Sequence, residues 1–229
     1  MKRLLIQLYS TINAIYCKIG CKSIHIKKCI IFKSFIHGTN DNEIKLYGSK
    51  LKYSQVEIQG SNNQIILHQC HLDRTNILMV GNNNIIHVSP KVHINSTYIV
   101  LRGNNCRITI GQGTTFGSAY IVCMGNTNYI QIGEQCMFAE DIEIWNSDTH
   151  PIFDYNNLLI NPSKPINIGN HVWCGKSSKI LKGVTIGNNA VIGMDALVTK
   201  DVAPNTLNVG IPAHTIKREI NWDRNFITK

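Results

Sequence analysis

An irregular segment in the second half of the chain carries the residues best suited to acid–base chemistry. Asp148, His150 and Asp154 lie close together in the segment NSDTHPIFD. Because histidine titrates near neutrality, it can take a proton from a hydroxyl, and a carboxylate or a backbone carbonyl can orient its ring. A surface histidine that caps the turn before Pro151 is the alternative interpretation. The segment therefore predicts His150 as a general base, with Asp148 or Asp154 as a candidate to orient its ring.

Two further histidines, His71 and His93, lie 22 residues apart, a spacing that would stack them if the chain repeats with that period. A zinc site needs three or four converging ligands, and the sequence does not visibly supply them. We therefore expect no metal. A metal-dependent hydratase of the carbonic anhydrase kind stays open as an alternative and would need these two residues.

Residues 168–202 repeat every six positions. An aliphatic residue or a cysteine begins each unit, and a small or β-branched residue follows four positions later. The first positions are Ile168, Cys174, Ile180, Ile186, Ile192 and Val198, and the second are Val172, Ser178, Val184, Ala190, Ala196 and Val202. This period matches neither a helix nor a lone strand, and it indicates a three-sided parallel coil with the first residues pointing inward.

A longer repeat precedes the first. A glycine followed by Asn-rich residues recurs at spacings of 22, 21, 22 and 22 residues, at Gly38, Gly60, Gly81, Gly103 and Gly125. Three hexads would take about 18 residues, so each longer unit is one coil with about four extra residues at one corner. Gly and Asn tolerate positive φ, and stacked Asn side chains can bond between coils. Hexads such as Ile110–Phe116–Val122 continue inside these units.

These patterns divide the chain into five parts. We expect a basic cap at residues 1–35, wide coils at 36–145, an active-site loop at 146–167, narrow coils at 168–205 and a tail at 206–229. Residues 4–17 indicate a short amphipathic helix that is too short to span a bilayer. Residues 214–229 indicate a charged tail or a short helix.

The net charge of +9 is concentrated at the amino terminus, where residues 1–37 hold seven Lys or Arg and no acid. Such a segment is either a solvated basic face or a surface attracted to anionic lipid or glycan, which allows peripheral membrane association. No nucleic-acid-binding motif accompanies the charge. The eight cysteines are scattered without a C-x-x-C pair. We expect buried free thiols in a reducing compartment, and hence a cytoplasmic protein.

Together these residues resemble the hexapeptide-repeat O-acetyltransferases, in particular the bacterial surface-polysaccharide enzymes that include polysialic acid O-acetyltransferases. The resemblance is strongest over residues 132–218. Its motifs are NSDTHPIFD, KPINIGNHVWCG, GVTIG, VIGMDALVTKDV and GIPAHTIK. It implies an all-β, left-handed parallel β-helix with a short N-terminal cap and an extended active-site loop.

The resemblance also implies acetyl transfer from acetyl-coenzyme A to a sugar hydroxyl of a bacterial surface glycan, of capsule or lipopolysaccharide type and including sialic acid. It implies His150 as the general base, Trp173 near the thioester or acceptor, and the backbone N–H of Lys176 as a donor to the developing oxyanion. The implied coenzyme-binding positions are Gly175, Gly193, Met194, Thr199, Lys200, Gly210, Pro212 and Lys217. A homotrimer with sites between subunits is implied as well.

Two other functions remain open beside the zinc hydratase. The same base and coenzyme site would serve an amine, so N-acetylation of an amino sugar is one. A solenoid that binds glycans without catalysis is the other. Solvated surface charge also remains an alternative for Lys200 and Lys217.

Overall fold

The structure, a computed structural model, describes residues 17–19, 23–38 and 41–227. Within these ranges the chain forms short strands joined by turns and contains no helix. As far as Val198, successive strands pass to three sheets in rotation, and each pairs in parallel with the strand one coil away. The described chain is therefore a three-sided parallel coil.

Each coil contributes one strand to each of the three sheets. Sheet A contains Cys17–Ile19 (β1), Phe35–Gly38 (β4), Gln55–Gln59 (β7), Asn76–Val80 (β10), Tyr98–Asn104 (β13), Ala119–Asn126 (β16), Ile142–Trp145 (β19), Lys179–Leu181 (β22) and Leu197–Val198 (β25). Sheet B contains Ser23–Lys27 (β2), Glu43–Tyr47 (β5), Gln64–His68 (β8), Ile85–Val88 (β11), Arg107–Ile110 (β14), Tyr129–Ile132 (β17), Ile166–Ile168 (β20) and Thr185–Ile186 (β23). Sheet C contains Ile30–Phe32 (β3), Lys50–Lys52 (β6), His71–Asp73 (β9), His93–Asn95 (β12), Thr115–Phe116 (β15), Met137–Phe138 (β18), Trp173–Cys174 (β21), Val191–Ile192 (β24), Thr206–Val209 (β26) and His214–Arg218 (β27).

The core is a column of stacked aliphatic side chains inside the prism. Every first and second position of the six-residue repeat between 168 and 202 is buried, which confirms that part of the sequence prediction. Larger side chains fill the wide coils, where Phe116 and Phe138 stack with their ring centroids 4.4 Å apart. Removal of this apolar surface from water is the main stabilising contribution, at roughly 25 cal/mol per Å².

The extra residues of the wide coils lie at the turn from sheet A to sheet B, the AB corner, which is residues 60–63 between β7 and β8. A Cβ on Gly81 would lie 1.9 Å from the carbonyl oxygen of Gly103, and φ of Gly81 is +113°, so only glycine fits. Buried amides bond the corners together: Asn84 donates Nδ2 to the Gly103 oxygen at 2.9 Å, and its Oδ1 accepts the Cys106 N–H at 2.9 Å. The predicted Asn ladder is thus present.

Two details of the repeat differ from the sequence interpretation. Gly38 ends β4 opposite Ile58, so it is not in register with the glycine of the next wide corner. Ile121 takes the inward position opposite Ile144, and Val122, although buried, lies opposite Trp145 outside the core cluster, because the turn from sheet C to sheet A before β16 has only Gly117 and Ser118.

The two ends of the chain also differ from expectation. Strands β1 to β3 lie within the segment expected to form a cap, so its described part continues the sheets; residues 1–16, with most of the expected amphipathic helix, lie outside the described residues. At the other end, β26 and β27 pair antiparallel as a hairpin on sheet C where a tail or short helix was expected. The hairpin forms because strand β26 still has a free edge to pair with.

The described cysteines fit the expectation of free thiols. Cys29, Cys70, Cys106, Cys123, Cys136 and Cys174 are unpaired and buried. Burial raises the pKa of Cys70 and of Cys136 to about 11, so both remain protonated at neutral pH. Within 17–19, 23–38 and 41–227, none of the secondary structure is a helix with the length and apolarity to cross a bilayer.

Candidate active site

The expected loop is an expansion of one AB corner. Strand β19 ends at Trp145, and the chain returns to sheet B only at Ile166, so residues 146–165 replace a corner of about four residues. Its base is closed by the Lys164 N–H, which donates to the Asn146 oxygen at 3.0 Å. Asn128, from the wide corner of the preceding coil, donates Nδ2 to Ser163 Oγ at 2.9 Å. The loop therefore stands on the stack of wide corners.

A polar cluster holds the first part of the loop in place. Asn161 Nδ2 donates both to Asp148 Oδ2 and to the backbone oxygen of His150, each at 2.9 Å. Lys182, from the AB corner of the next coil, forms an ion pair with Asp148 and donates to the Asn161 oxygen at 3.1 Å. The hydrogen bond from Lys182 holds the pKa of the Asp148 carboxyl below its ordinary value.

The carboxylates near His150 are engaged by other groups of the loop. Asp148 binds Asn161 and Lys182, and Asp154 Oδ1 accepts the N–H groups of Asn156 at 2.8 Å and Leu158 at 2.9 Å. The His150 N–H donates to the Asp148 oxygen at 2.8 Å, and its side chain is exposed. Asp148 thus fixes the backbone beside His150. The His150 side chain lies at the surface, where a second molecule can reach it.

Several expected coenzyme positions line up at the turn from sheet C to sheet A, the CA corner, which is residues 175–178 between β21 and β22. Gly175, Gly193 and Gly210 follow one another along this edge, since Gly175 N–H donates to the oxygen of Ile192 and Leu197 N–H to that of Gly210. A Cβ on Gly175 would lie 2.7 Å from the Met194 nitrogen. Glycine is therefore required at this position, because the backbone of the next coil occupies the space where a side chain would begin.

Lys176 and Met194 lie on the same CA edge, one coil apart. The Lys176 ammonium group pairs with Glu140 at 3.3 Å and with Asp141 at 3.8 Å. In the described ranges, the backbone N–H groups of Lys176 and Met194 have no hydrogen-bond acceptor. The two donors therefore remain available, whereas the Lys176 side chain is already occupied.

The remaining expected positions lie elsewhere on the prism. Thr199 and Lys200 follow β25 at the AB corner, and both are exposed. Pro212 lies in the turn of the terminal hairpin and Lys217 in β27, opposite Leu207. Trp173 projects from sheet C at the start of β21 and is 37% exposed.

A contact that the sequence did not indicate lies beside Trp173. After β27 the chain folds back over sheet C, and the buried Trp222 stacks on the His171 ring with centroids 4.1 Å apart and planes 6° apart. The Trp222 ring lies 5.9 Å from that of Trp173, and its Nε1–H donates to the His171 oxygen at 2.8 Å. Arg224 then donates to the oxygens of Gly113, Gln135 and Cys136.

A single chain does not bring His150, Trp173 and the CA corner together at one place. In a three-sided coil the AB corner lies opposite sheet C, so the loop with His150 and the Trp173 side chain leave the prism on different sides. The CA corner, with Lys176 and the glycines, is a third position. No sequence signal identified Lys182 or Asn161 as residues that hold the loop in place. For Trp222, the only available signal was the presence of a tryptophan within a charged tail.

His71 and His93 stack as the spacing indicated. They are opposite each other in β9 and β12, with ring centroids 4.5 Å apart. Burial lowers the pKa of His71, and the neighbouring His93 contributes in the same direction. In the part of the chain that the structure describes, no three histidine, cysteine or carboxylate side chains converge as a metal site would need.

Comparison with known proteins adds to this geometry. Residues 165–200 match the family described as bacterial transferase hexapeptide (six repeats). The polysialic acid O-acetyltransferase of Escherichia coli O1:K1 / APEC is 40% identical over 90 residues, which cover 39% of this chain and 29% of that protein. The galactoside O-acetyltransferase of Escherichia coli K12 is 54% identical over 59 residues, which cover 26% of this chain and 29% of that protein. The matches thus span about a third of the length of these curated relatives.

Two solved structures are similar over nearly the whole chain. The crystal structure of the polySia-specific acetyltransferase NeuO superposes with a TM-score of 0.71 and 29% identity, covering 90% of each chain. The polysialic acid O-acetyltransferase OatWY gives 0.70 and 25% identity, covering 92% of this chain and 90% of that one. The fold is a left-handed parallel β-helix, as the sequence resemblance implied.

Proposed function

We propose that this chain, a member of the hexapeptide-repeat transferases through residues 165–200, moves an acetyl group from acetyl-coenzyme A to a sugar hydroxyl. The observation that carries the proposal is the corner expansion at residues 146–165, which holds His150 exposed on a rigid base of hydrogen bonds. The acetyltransferase names of the relatives and of the two similar structures support the reaction class.

His150 is proposed as the general base. Its imidazole would take the proton of the acceptor hydroxyl as that oxygen attacks the thioester carbonyl, and it would return the proton to the departing coenzyme thiolate. Asp148 would act indirectly, because with Asn161 it fixes the backbone on both sides of His150. No metal is needed for this transfer.

The residues on the CA edge fit coenzyme A. The free N–H groups of Lys176 and Met194 can donate to amide carbonyls, and Gly175 and Gly193 let the coils that carry these groups stack closely. We propose that the Lys176 N–H also stabilises the negative charge that develops on the thioester oxygen; one such donor contributes about 2.7–4 kcal/mol. Thr199, Lys200, Gly210, Pro212 and Lys217 are proposed to contact the nucleotide end.

A homotrimer with sites between subunits is proposed for a geometric reason. The loop at the AB corner and Trp173 on sheet C are on different sides of one prism, so a neighbouring copy is needed to bring them to one substrate. A mixing experiment tests this: inactive His150→Ala and Trp173→Ala proteins, unfolded and refolded together, should regain activity. Continued inactivity of a correctly assembled mixture would contradict sharing of the site.

The acceptor is proposed to be a bacterial surface glycan that contains sialic acid, since three of the similar proteins bear polysialic acid in their names. A cytoplasmic site of action fits the six described free thiols. The decisive experiment incubates the protein with labelled acetyl-coenzyme A and candidate glycans, and follows product mass and NMR. Label that resists mild base would indicate an amide instead of the expected ester, and absence of coenzyme A binding would overturn the proposal.

A further inference from the structure

A shallow depression of about 290 Å³ lies on the outer face of sheet B, on the coils directly before the loop. Its lining consists of amides, hydroxyls, one phenol and one guanidinium, from Asn105, Arg107, Thr109, Thr127, Asn128, Tyr129 and Gln131. These residues belong to β14, β17 and the AB corners that precede them. The next AB corner along the prism is the expanded loop itself, so the depression borders the base of the loop.

Two contacts connect the depression to that base. Asn128, which is 6% exposed, donates Nδ2 to Ser163 Oγ at 2.9 Å, and Asn167 Nδ2 donates to the Tyr129 hydroxyl at 3.4 Å. Ser163 precedes the strand β20 and Asn167 lies within it. These hydrogen bonds therefore hold the floor of the depression against the C-terminal end of the loop 146–165, the loop that also contains His150.

Arg107 is the only charged residue among the lining residues. It is exposed, and no carboxylate in the described ranges forms an ion pair with its guanidinium. A planar guanidinium without a partner suits a bidentate contact with a carboxylate. Around it, neutral amides and hydroxyls offer both donors and acceptors, which is the chemistry that hydroxyl groups of a sugar require.

The backbone of the depression also departs from the rest of the stack. The residue two positions before each strand of sheet B is Asp41 in the first wide corner, with φ of 67°, and Asn62, Asn83 and Asn105 in the next three, each with φ of 57°. In the last wide corner it is Thr127, with φ of 52°. A β-branched residue is disfavoured in this conformation. The substitution leaves a methyl and a hydroxyl group in the depression where an amide would otherwise lie.

We propose that this depression is an acceptor subsite that binds a carboxylate-bearing sugar unit next to the unit being acetylated, with Arg107 as the carboxylate ligand. The proposal rests on the proposed function, since it assigns a second subsite to the same acceptor. The acidic unit would occupy sheet B while the neighbouring unit of the same glycan reaches the loop. An acidic polymer is thereby favoured over a neutral sugar.

The test compares a sialic acid oligomer with the same oligomer after reduction of its carboxyl groups. Arg107→Gln should raise KM for the acidic oligomer about tenfold and leave kcat unchanged, because a charge-assisted contact is lost. The KM of the Arg107→Lys protein should lie between those of the unaltered and the Arg107→Gln proteins, since lysine keeps the charge without the planar guanidinium group. Lys50→Gln removes the same charge from an exposed position on sheet C and should leave KM unchanged.

Calorimetry without acetyl-coenzyme A separates this proposal from the proposed function. Binding of the acidic oligomer that weakens in Arg107→Gln and not in Lys50→Gln would support the subsite even if no acetyl transfer were found. Equal binding of the acidic and reduced oligomers by the unaltered protein would overturn it. So would acetyl transfer to the acidic oligomer with the same KM in Arg107→Gln and Lys50→Gln proteins.

Discussion

The wide and narrow coils share one core but differ most at the AB corner. Successive strands of sheet A are 22 residues apart between Asn76 and Tyr98, and 18 apart between Lys179 and Leu197. Both regions fill the prism with buried aliphatic residues. At the AB corner, however, the wide coils bury amides such as Asn84, whereas the narrow coils bury aliphatic residues such as Val184.

This difference indicates where the β-helix can accept an insertion. The inward positions tolerate only apolar side chains of the right volume, while the AB corner varies from about three to 20 residues without disturbing the sheets. The loop lies where the wide coils give way to narrow ones. It is therefore supported by polar corner contacts on one side and by Lys182 of a narrow coil on the other.

The largest expected effect comes from the loop at which the two regions meet. His150→Ala should lower acetyl transfer by about 100- to 10,000-fold, since that range is typical for the loss of a general base. The fold should be unchanged because the side chain is exposed. Release of coenzyme A measures the rate. His93→Ala, which removes an exposed histidine from a wide coil, is the control and should remain active; equal activity of both variants would exclude His150 as the base.

A second test concerns the segment that joins the two regions across sheet C. Trp222→Ala should reduce the free energy of unfolding by about 3 kcal/mol, because a buried indole is lost. Trp222→Phe should cost about 1 kcal/mol, since it loses the hydrogen bond to the His171 oxygen but retains much of the stacking. Urea denaturation measures both. If the alanine variant is as stable as the unaltered protein, Trp222 does not hold the segment in place.

The amide ladder of the wide coils allows a third test. Asn84→Ala should lower the free energy of unfolding by about 2 kcal/mol, because it leaves the buried Cys106 N–H and Gly103 oxygen without partners. Asn82 lies in the same corner but is exposed, so Asn82→Ala should cost less than about 1 kcal/mol. Thermal unfolding of the pair decides the matter. Similar losses of unfolding free energy in both variants would mean that the buried amides contribute no more stability than the exposed ones.

The support of the loop by the narrow coils should have a smaller effect. Lys182→Met removes the ion pair with Asp148 and should lower activity about tenfold by loosening the backbone at His150. Because the folded pKa of Asp148 is lowered, its contribution is complete above about pH 5 and is lost as pH falls through that lower pKa. Limited proteolysis of the loop should therefore be constant from about pH 5 to 8. Protection that changes within this range would contradict the role of Asp148.

The repeat was predictable because it depends on local rules that recur in every coil. The inward position of Ile180 or Ile192 follows from a period of six, and the stacking of Gly81 on Gly103 follows from a period of 22. The shift of the inward position from Val122 to Ile121 was not predictable from the sequence. A corner that is shorter by one residue does not change the composition of the repeat. For the site, the sequence indicated His150 and the CA glycines but not the anchors Asn161 and Lys182, which lie 11 and 32 residues beyond it.

The sequence by itself determined the architecture and the position of the loop, because a regular period and its interruption are both visible in one dimension. Only the tertiary structure decided which groups meet. Asp148 pairs with Lys182 from another coil, Trp222 returns to cover His171, and Arg107 stands without an ion-pair partner among the described residues. These relations depend on distances between coils and on the free edge of sheet C. Neither is encoded in the spacing of residues along the chain.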